Sequence, residues 1–230
     1  MQLKDALELF RGKCGLEVGG PSRIFLKEGL IPIYPLVKEL DGCNFSKETL
    51  WEHGLEEGQT YKYGDKVGYQ FICEATNLEE KVLPSQYDFI ISSNCLEHSA
   101  NPLKALVRFI MAVKAGGLIL LVLPKKEVTF DHKRKITTYT HLYEDYKNDI
   151  GEDDLTHLSE ILELHDLSLD PPAGTLEQFK ERSLNNYENR GLHHHVFDLP
   201  LLLTILKAFN IEKVYADDIV SDYIVIGRKR

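Results

Sequence analysis

Cysteine is scarce in this chain of 230 residues, and none of Cys14, Cys43, Cys73 and Cys95 falls in a Cys-x-x-Cys pair. That spacing speaks against a cysteine zinc cage or a disulfide framework, so the four are read as reduced, partly buried thiols. No apolar run reaches the ~20 residues needed to cross a bilayer. The dinucleotide fingerprint Gly-x-Gly-x-x-Gly is missing. Basic residues are in deficit, 27 Lys and Arg against 36 Asp and Glu, for a formal net charge of −9. A surface of that sign is a poor partner for nucleic acid or an anionic membrane. The one basic cluster is Lys125-Lys126 with His132-Lys133-Arg134-Lys135. Repeats and low-complexity linkers are absent, and the amino terminus lacks the residue order of a signal peptide. A cytoplasmic protein is the expectation.

What is present suits one α/β domain over residues 1–230. The run Gly15-Leu-Glu-Val18 stops at Gly19-Gly20-Pro21-Ser22, which predicts a first strand over 14–18 and then a turn. Ser22 is placed to cap a short helix ending near Gly29. Pro32 and Pro35 break the next stretch, and the second strand is placed at Leu36–Asp41. Residues 46–68 read as a loop, and Tyr69–Cys73 as the third strand. Tyr87–Ser92 is apolar enough for a strand covered on both faces. Asn101-Pro102 opens a helix with Leu103, Leu106, Val107, Ile110 and Met111 on one face. Gly116-Gly117 is expected to stop it before a fifth strand, Leu118–Leu123. Helices are expected at 2–11, 137–148, 155–165 and 197–209, and closing strands at 212–215 and 222–227. The sum is a doubly wound, mostly parallel seven-stranded sheet with an insertion, residues 125–195, after strand five.

Ligands of such sheets bind at the carboxyl ends of the strands. There Gly19 and Gly20 allow positive φ and close approach of backbone to a ligand. Glu17, Asp41 and Glu74 are acidic groups at or near strand ends, and Asp41 suits two adjacent hydroxyls as a bidentate carboxylate, although Asp-Gly is also a common turn. The insertion holds every histidine except His53 and His98. His141 and Asp145 are four apart, and Asp154, His157 and Glu160 three apart, so each set can share a helical face. Such groups suit metal-assisted or histidine-based proton removal, yet also caps and solvated ion pairs. No residue is assigned as a metal ligand. In extended chain, His193 and His195 would face one way and His194 the other.

Glu17-Val-Gly-Gly-Pro-Ser22, Cys73-Glu-Ala-Thr-Asn-Leu78, Tyr87-Asp-Phe-Ile-Ile-Ser-Ser-Asn-Cys-Leu-Glu-His98 and Leu118–Pro124 resemble, in order and spacing, the strand-end motifs of class I S-adenosylmethionine (SAM)-dependent methyltransferases. The resemblance implies a Rossmann-like fold and SAM as cofactor. It places Glu17, Gly19, Gly20, Pro21, Ser22 and Asn94 at the methionine part, Asp41 at the ribose, and Glu74, Ala75 and Thr76 beside adenine. The pattern departs from the family in having Gly-Gly-Pro for Gly-x-Gly, and in a displaced acidic residue after strand two. Thr129–Lys135 and Asn186–Asp198 are similar to bacterial methyltransferases associated with surface-polysaccharide biosynthesis. That implies O-methylation of a sugar, nucleotide-sugar or related small polar acceptor, with His98, His132 and His194 as candidate bases and Lys133, Arg134 and Arg190 for anions. Two other readings fit the same residues: a metal-dependent hydrolase or lyase centred on the insertion, and a non-catalytic SAM-binding relative.

Overall fold

Three apolar runs of the sequence lie side by side in the middle of one mixed sheet, and polar segments extend it on both sides. The computed structural model describes residues 2–230. Its strands are β1 (Cys14–Val18), β2 (Glu39–Asn44), β3 (Gly58–Tyr63), β4 (Lys66–Ile72), β5 (Tyr87–Ser93), β6 (Val113–Pro124), β7 (Ile211–Asp218) and β8 (Asp222–Lys229). Their spatial order is β3-β4-β2-β1-β5-β6-β8-β7. From β4 through β6 neighbouring strands run parallel, while β3 and β8 pair antiparallel with their neighbours. Alternation divides the core between the two faces. Ile90, Ile119 and Leu121 pack on one side, with Phe89, Ile91, Leu118 and Leu120 on the other.

The helices are α1 (Leu3–Glu8), α2 (Pro102–Ala112), α3 (Tyr139–Lys147), α4 (Leu158–Leu164), α5 (Leu176–Leu184), α6 (Asn186–Asn189) and α7 (Leu199–Ala208). Among the described residues, no helix is long and apolar enough to cross a membrane. α2 begins as expected, with Asn101 Oδ1 accepting from Lys104 N at 3.1 Å and Pro102 in the first turn. Its buried face is rotated from the expected stripe, because Ala105, Phe109 and Ala112 turn inward and Met111 is exposed.

The fold class matches the expectation; the strand count is eight rather than seven. The extra strand, β3, lies within the stretch read as a loop. Tyr61 and Tyr63 face inward from it, and Gly64 (φ +62°) turns the chain into β4. Strand two begins three residues later than expected, because the proline-containing segment remains irregular until Glu39. The helix expected after Ser22 is only a 3-10 turn at Arg23–Phe25, and the Ser22 side chain caps nothing. Gly116-Gly117 does not stop α2, which has already ended at Ala112; Gly116 (φ +74°) instead lies where the β5–β6 register shifts. Residues 125–195 contribute four short helices, α3 to α6, and no strand.

Candidate functional site

A cavity of about 640 Å³ opens over the carboxyl ends of β1, β2, β4 and β5. That position and size suit a ligand of nucleoside class. Residues 21–30 form one wall, and Glu152 and Arg190 reach in from the insertion.

The glycine turn is held from beneath by a buried carboxylate. Glu17 is 0% exposed, and its oxygens accept from Ser22 N (2.9 Å), Tyr34 Oη (2.7 Å) and Tyr61 Oη (2.6 Å). Burial raises its carboxyl above the usual carboxylate range, against the pull of those three donors. Tyr61 reaches Glu17 from β3 across β2 only because Gly42 is bare: a Cβ there would lie 2.0 Å from the tyrosine ring. A Cβ on Gly20 would lie 2.3 Å from the Glu17 carboxyl group. Gly19 has φ +84° and packs on Cys95, where a Cβ would approach to 2.8 Å. Burial pushes the Cys95 thiol up to about 12, which keeps it protonated and unreactive.

Of the residues expected to bind the cofactor, Gly19, Pro21, Ser22, Glu74, Ala75 and Asn94 line this cavity. Glu17, Gly20, Asp41 and Thr76 do not. Glu17 and Gly20 shape the turn from behind. Asp41 lies mid-strand because β2 continues to Asn44, and its carboxylate accepts from Tyr69 N (2.8 Å) and Tyr87 Oη (2.7 Å). Thr76 is buried in the 3-10 turn that follows β4. Asn44 occupies the strand end instead. It lines the cavity and donates Nδ2 to Gly20 O (2.9 Å), which leaves its side-chain oxygen as an acceptor.

The three histidines expected near the chemistry are scattered. His98 lines the cavity. His132 lies on the outside of the insertion, against Asp166 (2.9 Å). His194 is buried beside Asn186 (3.0 Å), and burial lowers it to about 4. His98 Nδ1 lies 3.1 Å from the Leu192 carbonyl. That oxygen can only accept, so Nδ1 carries the proton and Nε2 the lone pair. Burial lowers its pKa well below the usual histidine value, with His193 adding to the effect.

Sequence reasoning missed the frame around His98. Asp131 Oδ2 holds His193 Nδ1 at 2.5 Å, while Arg134, buried at 2% exposure, binds Asp131 Oδ1 (3.1 Å) and the carbonyls of His193 (2.7 Å) and His194 (3.0 Å). Burial works against both charges, but the pairing holds Asp131 below and His193 above their ordinary values. Glu97 is buried with neither carboxyl oxygen hydrogen-bonded, and burial pushes it up to about 7. His193 and His195 border the small void beside Glu97 while His194 turns to Asn186, as the expected alternation has it. Arg190, in the left-handed region (φ +52°), pairs with Glu74 and lies over the Phe45 ring (4.9 Å). Trp51, 57% exposed, lines the cavity with its ring edge-on to His98 at 4.9 Å. Apart from Asp131 and Arg134, three residues apart, these pairings are long-range and have no local signal; Gly64-Asp65 between alternating residues was the one available cue to β3.

The donor set fits SAM. Glu28, Glu74, Glu152 and Asp222 line a space that also has apolar walls from Ile24, Phe45 and Ala75. An ammonium, a sulfonium and ribose hydroxyls call for such acceptors, and adenine for a flat apolar slot.

Comparison with known proteins agrees. The sequence profile of a family described as "Methyltransferase domain" matches residues 2–215. No curated protein matches the chain. A SAM-dependent methyltransferase from Methanosarcina mazei superposes with a TM-score of 0.53 at 13% identity, over 100% of this chain and 98% of that one. A putative SAM-dependent methyltransferase from Listeria monocytogenes gives 0.52 at 16% identity, over 99% and 96%. The 1,6-didemethyltoxoflavin-N1-methyltransferase of Burkholderia thailandensis, solved with its substrate and S-adenosylhomocysteine, gives 0.51 at 9% identity, over 99% and 77%. The chain therefore belongs to the methyltransferase-domain family and is a SAM-dependent methyltransferase of Rossmann-like fold.

Proposed function

We propose that this enzyme O-methylates a hydroxyl of a sugar, nucleotide-sugar or related polar small molecule. The observation that carries the reading is His98. It is a neutral imidazole at the cavity wall, its Nδ1 proton committed to Leu192 and its Nε2 lone pair uncommitted. Trp51 beside it offers an apolar platform of the kind that takes one face of a sugar ring, and Glu152 and Arg190 supply an acceptor and a cation at the same wall.

SAM, when bound, supplies an electrophilic methyl group on a positively charged sulfur. The turn Gly19-Gly20-Pro21-Ser22 with Asn94 holds its methionine part, Asn44 the ribose, and Phe45 and Ala75 the adenine. Asp41 is left out of the ribose role, since it does not line the cavity and its two oxygens face Tyr69 N and Tyr87 Oη instead. The insertion, residues 125–195, would hold the acceptor with its hydroxyl toward His98, and SAM, when bound, would supply the methyl group that the oxygen takes, leaving as S-adenosylhomocysteine. His98 Nε2 takes the hydroxyl proton as the oxygen attacks. His193, fixed by Asp131, packs on the His98 ring (4.5 Å) and keeps it in place.

The test is transfer of labelled methyl from SAM to a panel of sugars and nucleotide-sugars, alongside amine acceptors such as aza-heterocycles. The reading expects product on a sugar hydroxyl, and a ~100-fold or larger loss of kcat in His98→Asn with unchanged S-adenosylhomocysteine affinity. Transfer to amines alone, or a His98→Asn enzyme within about twofold of wild type, overturns it.

A further inference from the structure

We propose that His141, Asp145, His157 and His195 form a binding site for one divalent transition ion of the zinc class, outside the SAM cavity. One ligand atom from each of the four lies within 4.8 Å of all the others. His141 Nε2 is 3.1 Å from His157 Nε2 and 3.3 Å from Asp145 Oδ2, and His195 Nε2 is 3.7 Å from that same oxygen. A tetrahedral zinc with bonds near 2.0–2.2 Å spaces its ligand atoms by about 3.3–3.5 Å. The two His141 pairs are within a few tenths of an ångström of that spacing, and the remaining pairs lie within 4.8 Å.

Hydrogen bonding alone leaves the cluster incomplete. Asp145 Oδ2 is buried and, despite two imidazole nitrogens close by, has no bond of proper geometry; His195 Nδ1, in a residue 1% exposed, has no partner either. His195 Nε2 is 3.2 Å from the Ala100 carbonyl, which can only accept, so Nε2 carries the proton and the unpartnered Nδ1 is the nitrogen whose lone pair is left for an ion. Three imidazoles and a carboxylate are a borderline-soft, tetrahedral donor set, which selects zinc over magnesium or calcium.

The four ligands come from three segments that no sheet joins. His141 and Asp145 share one face of α3, His157 precedes α4, and His195 lies on the run into α7. Between Asp145 and His157 is Glu152, which accepts from Ser99 Oγ (2.9 Å) and Ala100 N (3.1 Å) and lines the cavity. An ion here ties three segments of the insertion to one another and fixes that wall. The site does not depend on the methyl-transfer reading, since metal content is read without substrate.

The experiment uses the full chain, untagged and purified without chelator, with metal measured by inductively coupled plasma mass spectrometry. About one zinc per chain is expected in wild type, and below ~0.2 in His141→Ala and in His157→Ala, both partly exposed positions whose folding is checked by circular dichroism. Cobalt added to the stripped protein is expected to give the visible absorption of a tetrahedral centre, lost in His157→Ala. A folded wild type that holds under ~0.1 metal per chain after zinc addition overturns the proposal. So do folded variants that keep the wild-type stoichiometry.

Discussion

The two halves that meet at the cavity are built on different principles. Residues 14–124 shape it with backbone: strand ends, a bare glycine turn and one buried carboxylate that supports the turn from below. Residues 125–195 reach it with charge, Arg190 on Glu74 beside Glu152, and keep their own position by Arg134 on Asp131 away from the cavity, in a region of short helices without a strand. A sheet positions its ends by ladder hydrogen bonds that any apolar sequence maintains. The insertion keeps its position through pairings of particular side chains, and a buried pair broken on one side leaves an uncompensated charge. On the proposed function, the first half serves a fixed cofactor and the second serves the acceptor.

Substitutions can break that contrast. The largest effect is expected for Gly20→Ala, whose Cβ would lie 2.5 Å from Tyr61 Oη as well as against Glu17. S-adenosylhomocysteine affinity should fall on the order of 100-fold, about 2.7 kcal/mol, by isothermal titration. Next, Glu17→Ala strips an acceptor from two buried tyrosine hydroxyls and an amide, and should cost about 2 kcal/mol in urea unfolding. If Glu17 instead served the cofactor directly, affinity would drop with stability intact.

Asp131→Asn sharpens the comparison from the other side. It should raise the acceptor KM about 10-fold and leave cofactor affinity within about twofold. An equal loss of both would show that the halves are not separable. The smallest effect concerns pH. With His98 held well below its ordinary pKa, the base form is already present at pH 6.5. The kcat/KM profile should be flat within about twofold from pH 6.5 to 8, with its acid limb below that range. A limb centred above pH 6.5 that persists in Glu97→Gln would assign proton removal to a group other than His98.

The contrast also explains what could be read in advance. β1, β5, β6 and the start of α2 are visible in apolar runs, an Asn-Pro cap and glycine punctuation, so the fold and the position of the glycine turn follow from local pattern. Asp41 was misplaced because the register of β2 depends on where a proline-broken segment rejoins the sheet. Composition cannot fix that by itself. The role of Glu17 was hidden because its partners, Tyr34 and Tyr61, lie outside any motif, and Tyr61 arrives from a strand read as loop. In the insertion, histidines were visible as a composition anomaly, but separating His98 from His132 and His194 needs contacts such as Leu192 to His98, which no period encodes.

The most direct test of the account is titration of S-adenosylhomocysteine into wild type, Gly20→Ala and Asp41→Asn. The account predicts one site per chain in wild type, an affinity nearly unchanged in Asp41→Asn, and binding reduced on the order of 100-fold in Gly20→Ala. No heat of binding in wild type, or a loss in Asp41→Asn that matches Gly20→Ala, would contradict a cofactor cradle built on this glycine turn and on Asn44.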